Sequence, residues 1–234
     1  MFENIFTQEA WIEAWEIART EIPLALWETV YVTVLSMVFA IIIGLPLGVL
    51  LVVGEKDGIM PLPKWLMATL GFIINLLRSI PFIILIVIVI PLTRAIVGTS
   101  VGTVASIVPL VIASFPFIAR LVETSLREVD RNVIEAAQSM GASPMRIITC
   151  VLIPESVPSL LSNLTIAITT VIGFTAMSGV LGGGGLGKIA IHYGYNRYKY
   201  LVMIFATAIL VILVQIVQSV GRWLAQKADR RLKK

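Results

Sequence analysis

The sequence predicts an all-α integral membrane protein with five transmembrane helices, and its composition and residue pattern point the same way. Of its 234 residues, 58% are hydrophobic and only 14% are charged, whereas a soluble domain carries about 25% charged residues. The apolar residues also come in long blocks without any charged side chain: 30–53, 95–119, 156–187 and 200–221. Each block exceeds the roughly 20 helical residues that cross a hydrocarbon core of about 30 Å.

A fifth apolar region, 65–93, is interrupted only by Arg78. As one helix it would reach about 43 Å, and Pro81 removes a backbone donor, so we expect a break or kink near Arg78–Pro81. Two segments in place of one span would move the N-terminus inside, but residues 65–77 alone are short for a crossing. The expected spans are therefore about 29–53, 64–93, 99–122, 154–179 and 200–222.

The distribution of Lys and Arg predicts the orientation of these spans. With the C-terminus inside and the N-terminus outside, twelve of these side chains fall inside and five outside, as the positive-inside rule favours. The inner set includes a basic tail at 226–234. The net charge of +4 is then explained mostly by the Lys and Arg residues that orient the spans. No basic–aromatic patch indicates nucleic-acid binding.

Residues 1–28 carry six glutamates, Glu3 among them, against the single base Arg19. A secretory signal peptide begins with basic residues instead. We therefore expect an amphipathic external lead-in whose Trp11, Trp15 and Trp27 lie at the membrane interface.

Residues 120–155 form the one long polar break between spans, and their arginines place it inside. The pattern predicts two short helices over about 131–153, with Gly141 in a left-handed turn, Ser143 at an N-cap and Pro144 at the first helical position. The small pair Ala136–Ala137 suggests a shallow face for docking a partner, bordered by charged side chains: Arg127, Glu128, Arg131 and Glu135. The alternative is a solvated loop.

The order Glu-Ala-Ala, three residues, glycine, nine residues and Val-Leu-Ile-Pro resembles the EAA signature of permease subunits in binding-protein-dependent (type I) ABC importers. The family's usual ending is Ile-x-Leu-Pro, so this chain departs by two conservative aliphatic changes. In that family the segment couples to a cytoplasmic ATPase. The resemblance carries this role to the matching positions, which are Glu135, Ala136, Ala137, Gly141 and Pro154.

Three further stretches are similar to the methionine-import members of this family: NLLRSIPFIILIVIVIPLTRAIVGTSVG, PFIARLVETSL and GGGGLG. The likeness covers roughly residues 25–225. It implies the type I permease fold and methionine transport across the bacterial plasma (inner) membrane. It also implies a second copy of the chain, two copies of an ATPase that carries ATP and Mg, and an external substrate-binding lipoprotein. The chain itself is then no enzyme and holds no cofactor or metal.

The glycine-rich stretch after the fourth span contains a partial phosphate-loop pattern, Gly182, Gly187 and Lys188. The next residue, Ile189, has no hydroxyl for Mg²⁺, and the stretch follows a membrane span rather than a strand. We expect a close-packed turn here instead. Met177, just before it, is a candidate gate, for which an ordinary core methionine is the alternative. Further pathway candidates are Ser178, Thr170, Asn163 and Arg78. Hydroxyls also bond to their own helix, and for Arg78 packing at the helix break is an equal alternative.

Five spans without an internal repeat enclose no pathway alone, so we expect a homodimer. Gly44 and Gly48 are a candidate small-residue contact in the first span, although Pro46 between them indicates a kink equally well. Two alternatives remain. One is a sibling importer for another amino acid or a betaine. The other is a secondary transporter, although such proteins usually carry intramembrane carboxylates and the charge-free blocks hold none.

Overall fold

A computed structural model of the chain describes residues 7–229, and all regular structure in that range is helical. The expected charges at Glu3, Arg230, Arg231, Lys233 and Lys234 lie outside the described residues. In chain order the elements are α1 (Gln8–Val53), α2 (Lys64–Ser79), α3 (Phe82–Ile88), α4 (Ile90–Val97), α5 (Ile107–Arg127), α6 (Arg131–Ser139), α7 (Pro144–Ile147), the π-helix π1 (Ile148–Leu152), α8 (Ile153–Val180), α9 (Leu186–Ile189), the π-helix π2 (Ala190–Tyr195) and α10 (Tyr200–Ala228).

Four helical runs are long and apolar enough to cross a membrane: Gln8–Val53, Ile107–Arg127, Pro144–Val180 and Tyr200–Ala228. The broken pair α2 and α3 makes a fifth candidate. Ile80 is extended between them, with φ −79° and ψ 124°, and the pair is bent by 106°. The break predicted near Arg78–Pro81 is therefore confirmed, because a proline cannot continue the hydrogen-bond ladder.

The first helix differs from the expected lead-in and span, because it runs from Gln8 to Val53 without an interruption at residue 28. Trp11 and Trp27 are consequently about 24 Å apart along one axis. Trp11, Trp15 and Trp27 thus lie on this one continuous helix, and their position at the membrane interface stays a prediction.

The third span also differs from its expected start at residue 99, since α5 begins at Ile107. Gly98 ends α4 with φ 82°, and Gly102 has φ 109°. Both values lie in the left-handed region, which glycine adopts without the steric cost of a Cβ. These two positions turn the chain before the helix begins.

The described residues form two compact units, which the long helices pass through. The first unit contains residues 7–38, 81–112 and 168–217, and the second contains 39–80, 113–167 and 218–229. In the first unit, Ile22 and Ala25 of α1 pack with Leu186 and Val202, all at most 4% exposed. The N-terminal half of α1 therefore belongs to the apolar core of this unit.

In the second unit, α1 lies against α5 at two glycines. A Cβ on Gly44 would lie 2.7 Å from the carbonyl oxygen of Phe115, and one on Gly48 would lie 2.5 Å from that of Ala119. The small-residue spacing thus serves close packing within one chain, rather than the contact between copies that we expected. Helix interfaces in membranes use small residues in this way.

Candidate functional site

The segment predicted to couple to a partner forms a two-helix tip, residues 130–154. Asp130 caps α6, its Oδ1 accepting from the Asn132 amide at 2.9 Å. Gly141 ends the helix with φ 75°, which confirms the left-handed turn predicted there. Ser143 occupies the N-cap position of α7 with Pro144 next, but its side chain makes no capping hydrogen bond.

The outer face of the tip carries apolar side chains that the sequence reasoning missed. Met140 is 81% exposed, Met145 is 63% exposed and Val133 is 42% exposed. Ala136 is exposed, whereas Ala137 is only 4% exposed, so the alanine pair does not form one shallow outward face. Adjacent helical residues point about 100° apart, which separates them. The exposed methionines flank Gly141, and adaptable apolar side chains in this position are suited to a protein partner.

Arg127, expected on the border of the docking face, binds within the second unit. Its Nη2 donates to Glu55 Oε1 at 2.6 Å and its Nη1 to Glu55 Oε2 at 3.1 Å. This forked pair joins the end of α5 to the loop after α1. A bidentate guanidinium–carboxylate pair fixes geometry as well as charge.

Glu123 continues this network toward α2. It is 8% exposed and accepts from Arg127 Nη2 at 2.9 Å and from Arg120 Nη1 at 2.6 Å. Arg120 Nη2 then donates to Asn75 Oδ1 at 2.9 Å. The result is a continuous chain of charged and polar contacts, the base network: Glu55, Arg127, Glu123, Arg120 and Asn75.

Hydrogen bonds from the Arg127 side chain hold the pKa of Glu55 below its ordinary value. Burial opposes this effect, and the positive charge of Arg127 lowers the pKa further. Glu55 therefore stays ionised through the physiological range. The base of the tip is held by charge at neutral pH.

Arg131 and Glu135 line a cleft of about 710 Å³ between the loop 55–59 and α6. Glu135 is exposed, as are Pro144 and Pro154. The cleft contains both signs of charge. It lies in the second unit, directly beside the base network.

A second polar cleft of about 510 Å³ lies where α5, α8 and α10 meet in the second unit. Asn163 Nδ2 donates to Ser125 Oγ at 2.8 Å, and Ser159 Oγ donates to the same oxygen at 3.2 Å. Asn163, a pathway candidate, is thus held by other residues of this chain while it lines the cleft.

The remaining pathway candidates occupy different surroundings. Met177 is 44% exposed and Ser178 is buried, its hydroxyl donating to the Thr175 carbonyl at 2.8 Å. Thr170 is partly buried in the same helix. Arg78, in the second unit, is exposed with its guanidinium 6.0 Å from the Phe117 ring centroid. The pathway role of these residues stays a prediction.

The first unit contains an aromatic and charged cluster. The Tyr193 hydroxyl donates to Glu21 Oε1, and Lys199 Nζ donates to Glu13 Oε1 at 2.6 Å. The hydrogen bond to Glu21 raises the pKa of Tyr193. Tyr195 and Tyr198 remain 72% and 65% exposed. Within residues 7–229, no three histidine, cysteine or carboxylate side chains converge as metal ligands.

Comparison with known proteins agrees with this architecture. A family model, the inner membrane component of binding-protein-dependent transport systems, matches residues 40–234. The probable D-methionine transport system permease protein MetI of Vibrio cholerae is 44% identical over 222 residues, which cover 94% of this chain and 98% of that protein. The methionine import system permease protein MetP of Bacillus subtilis is 46% identical over 164 residues, covering 70% and 74% respectively.

Among solved structures, the native crystal form of the inward-facing MetNI methionine ABC transporter contains a chain of the same fold. The TM-score is 0.87 at 46% identity, and the match covers 89% of this chain and 96% of that one. Together with the apolar helices, these similarities make the protein a multi-pass inner membrane transport subunit and not an enzyme. The chain belongs to the family of binding-protein-dependent transport system inner membrane components.

Proposed function

We propose that this chain is the permease subunit of an ATP-driven importer that moves methionine into the cytoplasm. The observation that carries the substrate is the likeness to methionine transporters, at 44% identity over 94% of the chain and with a TM-score of 0.87. The likeness extends over nearly the whole membrane region. It is therefore more than a shared fold.

The two-helix tip supplies the coupling step. Glu135, Ala136, Gly141, Ser143, Pro144 and Pro154 are exposed on it, and Met140 and Met145 give it an apolar outer face. We assign this face to the cleft of a cytoplasmic ATPase, which binds the ATP and Mg. Arg127 does not contact the partner but holds the base of the tip through its ion pair with Glu55. Arg131 lines the adjoining cleft. When the ATPase dimer closes, the tip is displaced as one unit.

Two copies of this chain surround the pathway, two ATPase subunits dock inside, and a substrate-binding lipoprotein delivers methionine from outside. The N-terminus lies outside and the C-terminus inside. Met177 of each copy contributes to the gate, because its exposed flexible side chain lies in the last turn of the fourth span.

Coupling is tested by the pair of changes Met140→Glu and Met145→Glu in one chain. Two carboxylates on the docking face would have to be desolvated, so we expect the variant to enter the membrane but to lose the ATPase on co-purification. Met60→Glu is the matched control, because Met60 is 41% exposed outside the tip. Normal ATPase recovery with the double variant would refute the docking face.

The substrate is tested by uptake into proteoliposomes that contain both partner subunits and the binding lipoprotein. Methionine uptake should require ATP and be outcompeted only by close analogues. Uptake without ATP would instead favour a secondary transporter. A preference for another amino acid or for a betaine would favour a sibling importer.

The gate is tested by Met177→Cys in a Cys150→Ser background. Disulfide formation between copies that varies with nucleotide is expected. Absence of a crosslink in every nucleotide state would remove Met177 from the gate.

A further inference from the structure

The glycine turn, residues 182–187, is held by two consecutive side chains of α1. The Gly185 amide donates to Glu28 Oε2 at 2.7 Å, and the next amide, of Leu186, donates to Thr29 Oγ1 at 2.9 Å. Thr29 is 2% exposed. Two successive backbone donors of the turn thus find their acceptors on a helix more than 150 residues earlier in the chain.

The second oxygen of Glu28 ties the turn to a third segment. Thr103 Oγ1 donates to Glu28 Oε1 at 2.9 Å, and the Gly102 amide donates to the Gly182 carbonyl at 2.8 Å. Gly184 lies between these groups, where a Cβ would overlap Thr103 Oγ1 and lie 2.5 Å from Glu28 Oε2. The turn therefore fits tightly between α1 and the segment before α5.

The charge of Glu28 has no cationic partner among residues 7–229. Its carboxylate is satisfied by a backbone amide and a hydroxyl instead, each using a different oxygen. A carboxylate that accepts such bonds makes stronger contacts than a neutral acceptor would. Because one of the donors is a backbone amide of the turn itself, this arrangement orients the turn. An ion pair to a flexible Lys or Arg side chain would not fix the backbone in this way.

The glycine turn also packs against the end of α8. The Gly183 amide donates to the Ser178 carbonyl at 2.9 Å. A Cβ on Gly187 would lie 2.5 Å from the Ala176 carbonyl oxygen, and one on Gly179 would overlap the Lys188 backbone. Backbone packed this closely against backbone transmits displacement, because neither side has a flexible side chain that could yield.

We propose that Glu28 is a positioning residue that fixes the last turn of α8, residues 176–180, to α1 through the glycine turn. The assignment rests on the proposed transport function, in which this end of α8 bears the gate. With Glu28 in place, α1 and the end of α8 move together during the cycle. Without it, the end of α8 no longer follows, and ATP hydrolysis is no longer matched by uptake.

The test uses the complete complex of permease, ATPase and binding lipoprotein in lipid, with the variants Glu28→Ala and Glu28→Gln. Glu28→Ala should speed hydrogen exchange of amides 183–187 and lower methionine taken up per ATP by about tenfold, because the coupling between the two segments is weakened. ATP hydrolysis should continue. Glu28→Gln should restore most of the ratio, because its carbonyl accepts from Gly185 while its amide donates to the Thr103 hydroxyl.

Glu16→Ala is the matched control, since Glu16 is an exposed glutamate of the same helix and should behave as wild type. Should Glu28→Ala fail to fold, Thr103→Val removes one donor and should give the same change in exchange, only smaller. Wild-type exchange and uptake in Glu28→Ala would overturn the proposal. So would a Glu28→Gln variant as impaired as Glu28→Ala, since charge rather than positioning would then matter.

Hydrogen exchange is measured without methionine, so the two proposals fail separately. A wild-type complex that does not take up methionine, but shows the expected exchange in Glu28→Ala, overturns the substrate and supports the positioning role. If the wild type takes up methionine but hydrogen exchange is unchanged in Glu28→Ala, the substrate is supported and the positioning role is overturned.

Discussion

Glu123 accepts hydrogen bonds from two guanidinium groups while only 8% exposed, and Glu55 accepts from Arg127 in a more exposed position. We predict that Glu123→Ala lowers the free energy of unfolding by about 2–3 kcal/mol, as expected when hydrogen bonds to charged groups are lost. Glu55→Ala should lower it by only about 0.5–1 kcal/mol. Denaturant unfolding in detergent measures both, and equal losses would contradict the central place of Glu123.

The lowered pKa of Glu55 predicts a loss of stability in acid. A carboxylate whose pKa is lower in the folded state stabilises the protein above its ordinary pKa of 4.5, and this contribution disappears as the pH falls through the folded value. Comparison of Glu55→Gln with wild type across that range should show a stability difference at neutral pH that vanishes in acid. A difference that persists in acid would show that Glu55 acts through packing.

Sequence reasoning identified the two-helix tip but not the orientation of its individual residues. Arg127 was expected at the docking border, yet its partner Glu55 lies 72 residues away, and no local pattern connects them. Met140 and Met145 were not among the predicted contact residues, and their exposure became visible only in the structure. Gly141 was predictable, because a left-handed turn between two short helices calls for glycine.

At the scale of elements, the contact of α1 with α5 depends on the absence of a side chain at Gly48. A Cβ there would lie 2.5 Å from the Ala119 carbonyl oxygen, so Gly48→Ala should destabilise the protein by about 1–3 kcal/mol. Gly71→Ala is the control, since its Cβ would meet only the end of the Arg120 side chain at 3.7 Å. It should be neutral or stabilising by up to about 1 kcal/mol. Thermal unfolding in detergent would show the contrast, and equal behaviour of the two variants would refute it.

The spacing of Gly44 and Gly48 predicted close helix packing correctly but could not reveal the partner helix. The break at Pro81 was predictable, because proline acts through its own covalent geometry. The full length of α1 was not predictable, because the acidic residues before position 28 suggested a separate segment. The packing of Ile22 and Ala25 in the core explains why the helix continues there.

At the scale of the whole molecule, the orientation can be tested with the native thiol. Cys150 is the single cysteine, is exposed and lies in the two-helix tip. A membrane-impermeant maleimide should label it in inside-out vesicles without the ATPase, and should not label it in intact spheroplasts.

Tyr195→Cys in a Cys150→Ser background provides the opposite case, because Tyr195 is 72% exposed and is predicted to lie outside. Labelling of Cys150 in intact spheroplasts would reverse the topology. It would also remove the tip from the side on which ATP is available.

The long apolar helices followed from the sequence, because a bilayer tolerates few charged side chains and requires apolar helices of fixed minimum length. Within residues 7–229 there are four of them, and a fifth if the broken pair α2 and α3 is one span. The route of the chain within each unit did not follow, since it depends on contacts such as Glu28 with Gly185 that join distant parts of the sequence. Substrate identity came from likeness to known transporters. Hydrophobic periodicity carries no information about it.

The 46 residues of α1 span about 69 Å, more than twice the hydrocarbon thickness of about 30 Å. On the predicted topology, the additional residues 8–28 lie on the outer side, where one face of the helix packs against residues 186–206 of the same unit. The opposite face, with Glu9, Glu16 and Thr20, is exposed. An antibody that recognises this exposed face should therefore bind intact spheroplasts and offer a way to count transporters without opening the cell.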